Sequence, residues 1–173
     1  IVYFTDKGAQ LGGMLAEKLG CTAQKPPKGG LASLTEKLFH EADALIFIGA
    51  CGIAVRAIAP LIVSKTSDPA VIVLDEQGKH VISLLSGHIG GANDLARRIA
   101  GYTGGEAVIT TATDVNGRFS VDAWAVKHSC VIDSMEHAKE YAASILKRDV
   151  PLFSDFEICG ELPGGVFVGS EGT

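Results

Sequence analysis

The chain alternates short apolar runs with periodic amphipathic stretches. Ile-Val-Tyr-Phe at 1–4 is rich in β-branched and aromatic residues, and Thr-Asp-Lys-Gly follows with turn chemistry before the periodic segment 9–20. This predicts a strand and then a helix. Gln-Lys-Pro-Pro-Lys-Gly-Gly at 24–30 breaks both regular structures and reads as an exposed loop ahead of a second helix over 31–41. Ala-Leu-Ile-Phe-Ile-Gly at 44–49 is continuously apolar, as a central strand covered on both faces would be. A helix over 50–60 closes at Pro60, because proline removes a helical hydrogen bond. The runs 70–75 and 80–85 flank Glu-Gln-Gly-Lys, where Gly78 suits the positive φ of a hairpin, so an antiparallel pair is expected. In 90–105, Leu95 and Ile99 share a face with Ala92 and Ala96, opposite an i,i+4 pair of Asp94 and Arg98. Another strand is expected over 107–111.

Strands alternating with helices predict an α/β domain over residues 1–113, a three-layer, mainly parallel sheet with helices on both faces. From Asp114 the texture changes. Two helices around Cys-Val-Ile-Asp at 130–133, then short strands within 151–155 and 165–169, predict a smaller α/β unit over 114–173. No internal repeat or low-complexity tract interrupts this order. The chain starts without methionine and stops after a strand-like segment, which fits a piece of something longer.

Composition narrows the function classes. With 47% hydrophobic and 20% charged residues, the 173-residue chain has the make-up of a soluble globular protein. A net charge of -5 excludes a broad positive field for nucleic acid, so any anionic ligand must be held by a local site. Cys21, Cys51, Cys130 and Cys159 lie far apart without a Cys-x-x-Cys pair, which predicts reduced, mostly buried thiols. No apolar run approaches the roughly 18 residues of a membrane span. The first residues also lack the layout of a signal peptide, so a cytoplasmic location is expected.

Open α/β sheets bind ligands at strand ends, and four segments there carry candidate chemistry. Gly49 and Gly52 flank the start of the 50–60 helix, where backbone N–H groups could approach an anion or simply pack tightly; both readings stay open. Arg56, about two turns on, either folds back to a carboxylate or faces water. Lys65 and Asp68 bracket a turn imposed by Pro69, for which a structural turn and a functional loop are comparable readings. The most informative segment is Leu-Leu-Ser-Gly-His-Ile-Gly-Gly-Ala-Asn-Asp, which places Ser86, His88, Gly90, Gly91 and Asn93 between a strand and a helix. A histidine in that setting can move protons near neutral pH. Gly90 and Gly91 are expected to leave backbone donors open, and Asn93 can cap the helix. Thr110 and Thr111 offer hydroxyls for ligand carboxylates or for capping. The five histidines form no close pair with metal-ligand spacing, and the common nucleotide-phosphate motifs are absent, so no protein-held metal is expected.

The stretch from Gly49 to Ala100, and Ile-Thr-Thr-Ala-Thr-Asp-Val-Asn-Gly-Arg-Phe at 109–119, resemble the N-terminal region of the CbiG family, the cobalt-precorrin-5A hydrolases of anaerobic cobalamin biosynthesis. The remainder is similar to the family's central region, whereas the usual C-terminal domain is not found. The resemblance implies an enzyme that opens the δ-lactone of cobalt-precorrin-5A and hydrolyses a carbon–carbon bond, releasing acetaldehyde to give cobalt-precorrin-5B. It also implies that cobalt arrives within the substrate, with no cofactor of the protein's own. His88 would transfer protons and Gly90 and Gly91 would hold developing negative charge. Arg56 and Lys65 would bind substrate carboxylates, with Gly49, Gly52, Ser86, Asn93, Thr110 and Thr111 as further contacts. A non-catalytic tetrapyrrole-binding or channelling subunit is the alternative; a homodimer and contacts with other pathway enzymes stay open.

Overall fold

In a computed structural model, which describes residues 1–169, the chain divides into two compact units, Ile1–Ile109 and the segment from Thr110 onward. The first holds a five-stranded sheet of β1 (Val2–Tyr3), β2 (Ala44–Ile48), β3 (Ala70–Leu74), β4 (His80–Leu85) and β5 (Glu106–Val108), ordered as in the sequence. β1, β2 and β3 are parallel, β4 reverses against β3, and β5 runs parallel to β4.

The unbroken apolar runs of β2 and β3 are explained by two covered faces. Ile46, Ile48, Ile72 and Leu74 pack with Leu15 of α1 (Asp6–Leu19) and with Ala96 and Ile99 of α4 (Ala92–Thr103). The alternating residues Leu45, Phe47, Val71 and Val73 pack with Phe39 of α2 (Leu31–Glu41) and with Ala54 and Ile58 of α3 (Cys51–Ile58). This is a three-layer α/β fold with a mostly parallel sheet. Pro60 falls in a 3₁₀ turn, Ala59–Leu61, directly after α3.

The reversal at β3–β4 is tightly built. Gly78 has φ 67°, and the Asp75 carboxylate accepts the N–H groups of Gln77 at 2.8 Å and His80 at 2.7 Å. Desolvation raises the Asp75 pKa, but the N–H groups of His80, Gln77 and Lys79 and the His80 ring together outweigh it, leaving the carboxyl below its ordinary range. At the far end of the hairpin Leu84 is an extra residue, since Val71 pairs with Leu85 and Ile72 with Ser83.

Three local expectations need correction. The strand expected over 107–111 is shorter, Glu106–Val108, because β5 pairs with β4 only as far as Ile82. Asp94 pairs with Arg97 at 2.9 Å rather than with Arg98; i+3 and i+4 both lie within reach on a helix. All four cysteines are free as expected, yet Cys21, Cys130 and Cys159 are exposed rather than buried.

The second unit contains α5 (Ala112–Val115), α6 (Val121–Lys127), α7 (Met135–Ile145) and a parallel pair of β6 (Val150–Leu152) and β7 (Val166–Val168). Phe119 meets Trp124 and Tyr141 edge-on, and Arg118 pairs with Asp149. Among the described residues, no helix is long and apolar enough to cross a membrane.

Gly78→Ala is expected to destabilise the protein by about 2 kcal/mol in urea unfolding. An added Cβ would sit 2.9 Å from Thr103 Cγ2 and force a side chain into positive φ. Because the folded pKa of Asp75 is depressed, its contribution is present at neutral pH and lost as pH falls through about 4 toward the folded value. The stability gap between the protein and Asp75→Asn, followed by urea unfolding at pH 7 and then in acid, should therefore shrink below about pH 4.

Candidate functional site

The sheet has two ends with different chemistry. At the carboxyl ends of β1–β3 stand the start of α3 and the 75–79 turn. At the opposite end β4 leaves the sheet into the loop 86–91, beside the loop 62–69 that enters β3. One strand of five residues separates the ends by about 15 Å.

The loop from β4 to α4 is strained and closely packed. Ser86 adopts φ 57°, rare for a residue with a side chain. Its hydroxyl donates to the Asp68 carbonyl at 3.0 Å, tying the two loops together. The turn then folds onto itself: Gly91 N–H donates to the His88 carbonyl at 3.0 Å, Ala92 N–H to Ser86 at 3.1 Å and Asn93 N–H to Gly87 at 3.0 Å. A Cβ on Gly90 would lie 2.4 Å from the Ser86 Cβ, and one on Gly87 would lie 2.8 Å from Asn93 Oδ1. Both glycines are required by close approach.

Of the two expected backbone donors, Gly91 is not open, because its N–H is spent on His88. Gly90 N–H has no acceptor among the described residues. His88 is half-buried in the middle of the turn. Asn93 is 3% exposed and its Oδ1 accepts the Ser83 hydroxyl at 2.7 Å, so it braces the turn from beneath.

In the neighbouring loop, Asp68 is buried at 6% exposure. Its carboxylate accepts Val63 N–H and Ser64 N–H, each at 3.0 Å to Oδ2. The loop presents Lys65 and Thr66 to solvent, and beside them Val63 is 82% exposed. Lys65, an apolar surface, hydroxyls, a histidine and an open N–H thus share this end of the sheet.

Gly49, Gly52 and Arg56 stand toward the other end of the sheet. Gly49 packs against Phe4, with a Cβ there 2.9 Å from the ring, so close packing accounts for this glycine. Gly52 is exposed in the first turn of α3, and Arg56 donates back to the Gly52 carbonyl at 3.1 Å. Thr110 and Thr111 open the second unit, where the Thr111 hydroxyl donates to Asp114 at 2.6 Å. Sequence reasoning placed Asp68 at the edge of the Pro69 turn without giving it a role, and missed Ser83. The available signals were the Asp-Pro turn before β3 and a lone polar residue inside the apolar run of β4. Among the described residues, no group of three or more His, Cys, Asp or Glu could hold a metal ion.

Residues 33–114 match the family described as Cobalamin synthesis G N-terminal. The chain is 46% identical over 149 residues to the cobalt-precorrin-5A hydrolase of Salmonella typhimurium, covering 85% of this chain and 42% of that protein. It is 41% identical over 121 residues to the cobalt-precorrin-5A hydrolase of Priestia megaterium, covering 70% of this chain and 32% of that protein. The chain therefore spans less than half the length of these relatives. A crystal structure of a cobalamin biosynthesis protein G homolog from Sulfolobus solfataricus shares the fold, with a TM-score of 0.59 at 23% identity over 96% of this chain and 51% of that one.

Two glycine substitutions separate steric crowding from backbone conformation. Gly90→Ala should cost about 2–3 kcal/mol in urea unfolding through its clash with Ser86. Gly91→Ala, which meets open space but carries φ 79°, should cost about 1 kcal/mol.

Proposed function

We propose that this chain, which belongs to the cobalamin synthesis G family through its N-terminal region, carries the substrate-handling end of a cobalt-precorrin-5A hydrolase. Water opens the δ-lactone of cobalt-precorrin-5A; a carbon–carbon bond then breaks, a two-carbon fragment leaves as acetaldehyde, and cobalt-precorrin-5B remains. The cobalt is part of the substrate and no further cofactor takes part.

The observation that carries this reading is the Ser86–Asp68 hydrogen bond, which holds the loop bearing Lys65 against the loop bearing His88 and Gly90. Lactone opening needs a base for water and a donor for the oxyanion. His88 takes the proton from water and returns it to the ring oxygen that leaves as the lactone opens; in the retro-aldol cleavage it takes the proton of that freed hydroxyl and delivers it to the carbanion left on the macrocycle. Gly90 N–H faces the developing negative charge. Lys65 receives a carboxylate arm of the substrate, and exposed Ile62 and Val63 offer an apolar surface to the macrocycle. The roles expected of Gly49, Gly52 and Arg56 are not retained, since they stand toward the opposite end of the sheet. Gly91, Asn93 and Thr111 take no part in this reading because of the partners described above, and Thr110, in the second unit, is given no role in it.

The test is anaerobic incubation of the protein with enzymatically made cobalt-precorrin-5A, assayed for acetaldehyde and for the mass of the macrocycle. Acetaldehyde with the matching mass change is expected, and His88→Ala should lower kcat by about 100-fold or more. Substrate that binds and stays unchanged would favour a non-catalytic tetrapyrrole-binding role. Full turnover by His88→Ala would remove His88 as the proton carrier.

A further inference from the structure

We propose that Asp68 is a positioning residue for substrate binding, acting through the loop that carries Lys65; the inference rests on the reading of Lys65 as a carboxylate receiver. Asp68 is 6% exposed, and no cation lies within ion-pair distance of its carboxylate among the described residues. A carboxylate so placed needs hydrogen bonds in place of water. It obtains them from its own loop: Oδ2 accepts Val63 N–H and Ser64 N–H at 3.0 Å, and Oδ1 accepts Val63 N–H at 3.2 Å. The Asp68 N–H donates to the Ser64 carbonyl at 2.8 Å, closing the turn that displays Lys65. The Asp68 carbonyl takes the Ser86 hydroxyl, which attaches that turn to the strained residue opening the other loop.

One residue therefore fixes the turn from inside and docks it from outside, with Lys65 between its anchoring points. Removing the carboxylate releases Val63 and Ser64, and the backbone turn that displays Lys65 is no longer held in place relative to Ser86 and His88. The chemistry itself does not pass through Asp68, so the effect falls on binding.

A double-mutant cycle with cobalt-precorrin-5A as substrate tests this. Lys65→Ala should raise KM about tenfold with kcat held within a factor of about 3. Asp68→Ala should do the same, the double variant should show no further rise, and Asp68→Asn, which keeps one acceptor oxygen, should recover part of the loss. Urea midpoints identify any variant that fails to fold; Asp68→Asn, the least disruptive, then carries the cycle. If Lys65→Ala raises KM while the Asp68 variant leaves it unchanged, or if the two effects add, the positioning role is overturned and the reading of Lys65 survives. An unchanged KM in Lys65→Ala would overturn that reading and the Asp68 role with it.

Discussion

The antiparallel reversal between β3 and β4 decides where everything else in the first unit lies. Had β4 continued parallel to β3, its loop into α4 would share an end with Gly49 and Gly52. The Gly78 turn, held by the Asp75 carboxylate, instead sends β4 back across the sheet. The loop 86–91 then emerges beside the entry to β3, and Ser86 comes within hydrogen-bond reach of Asp68. The same reversal lets α4 cover the face that α1 covers, while α2 and α3 cover the other.

Packing and strain follow from that placement. Leu84 bulges where β4 approaches its end, and bulges re-aim the residues after them. Ser86 then takes a left-handed conformation that costs free energy of order 1–3 kcal/mol. It is offset by the hydroxyl bond to Asp68, by the Ala92 N–H on the Ser86 carbonyl and by Asn93 wedged under Gly87. A turn so constrained holds His88 and Gly90 in fixed relation, as the proton transfer and charge stabilisation proposed for them would require.

Much of this fold is legible in the sequence because its signals are local. Unbroken apolar runs at 44–48 and 70–74 report two covered faces, Gly78 reports the hairpin, and the spacing of Ala92, Ala96 and Ile99 reports the buried stripe of α4. The site is less legible because it depends on choices made across the chain. Local pattern does not say whether Gly90 or Gly91 keeps a free N–H; that depends on which carbonyl the turn meets when it folds. Nor does it say which of two adjacent arginines Asp94 will reach, since i+3 and i+4 are neighbours on a helix. Asp68 reads in the sequence as one edge of a turn set by Pro69, but its burial exists only once the turn 63–68 closes around it. Gly49 and Gly52 carry a persuasive pattern at a strand end, yet Gly49 is explained by Phe4.

The central claim is that substrate engages the end of the sheet formed by the loops 62–69 and 86–91, and not the end formed by the start of α3. Amide hydrogen exchange with and without cobalt-precorrin-5A tests it most directly. The account predicts slowed exchange within 62–69 and 86–93, with 49–56 unchanged. Protection confined to 49–56 would contradict it and return the site to the glycines at the start of α3.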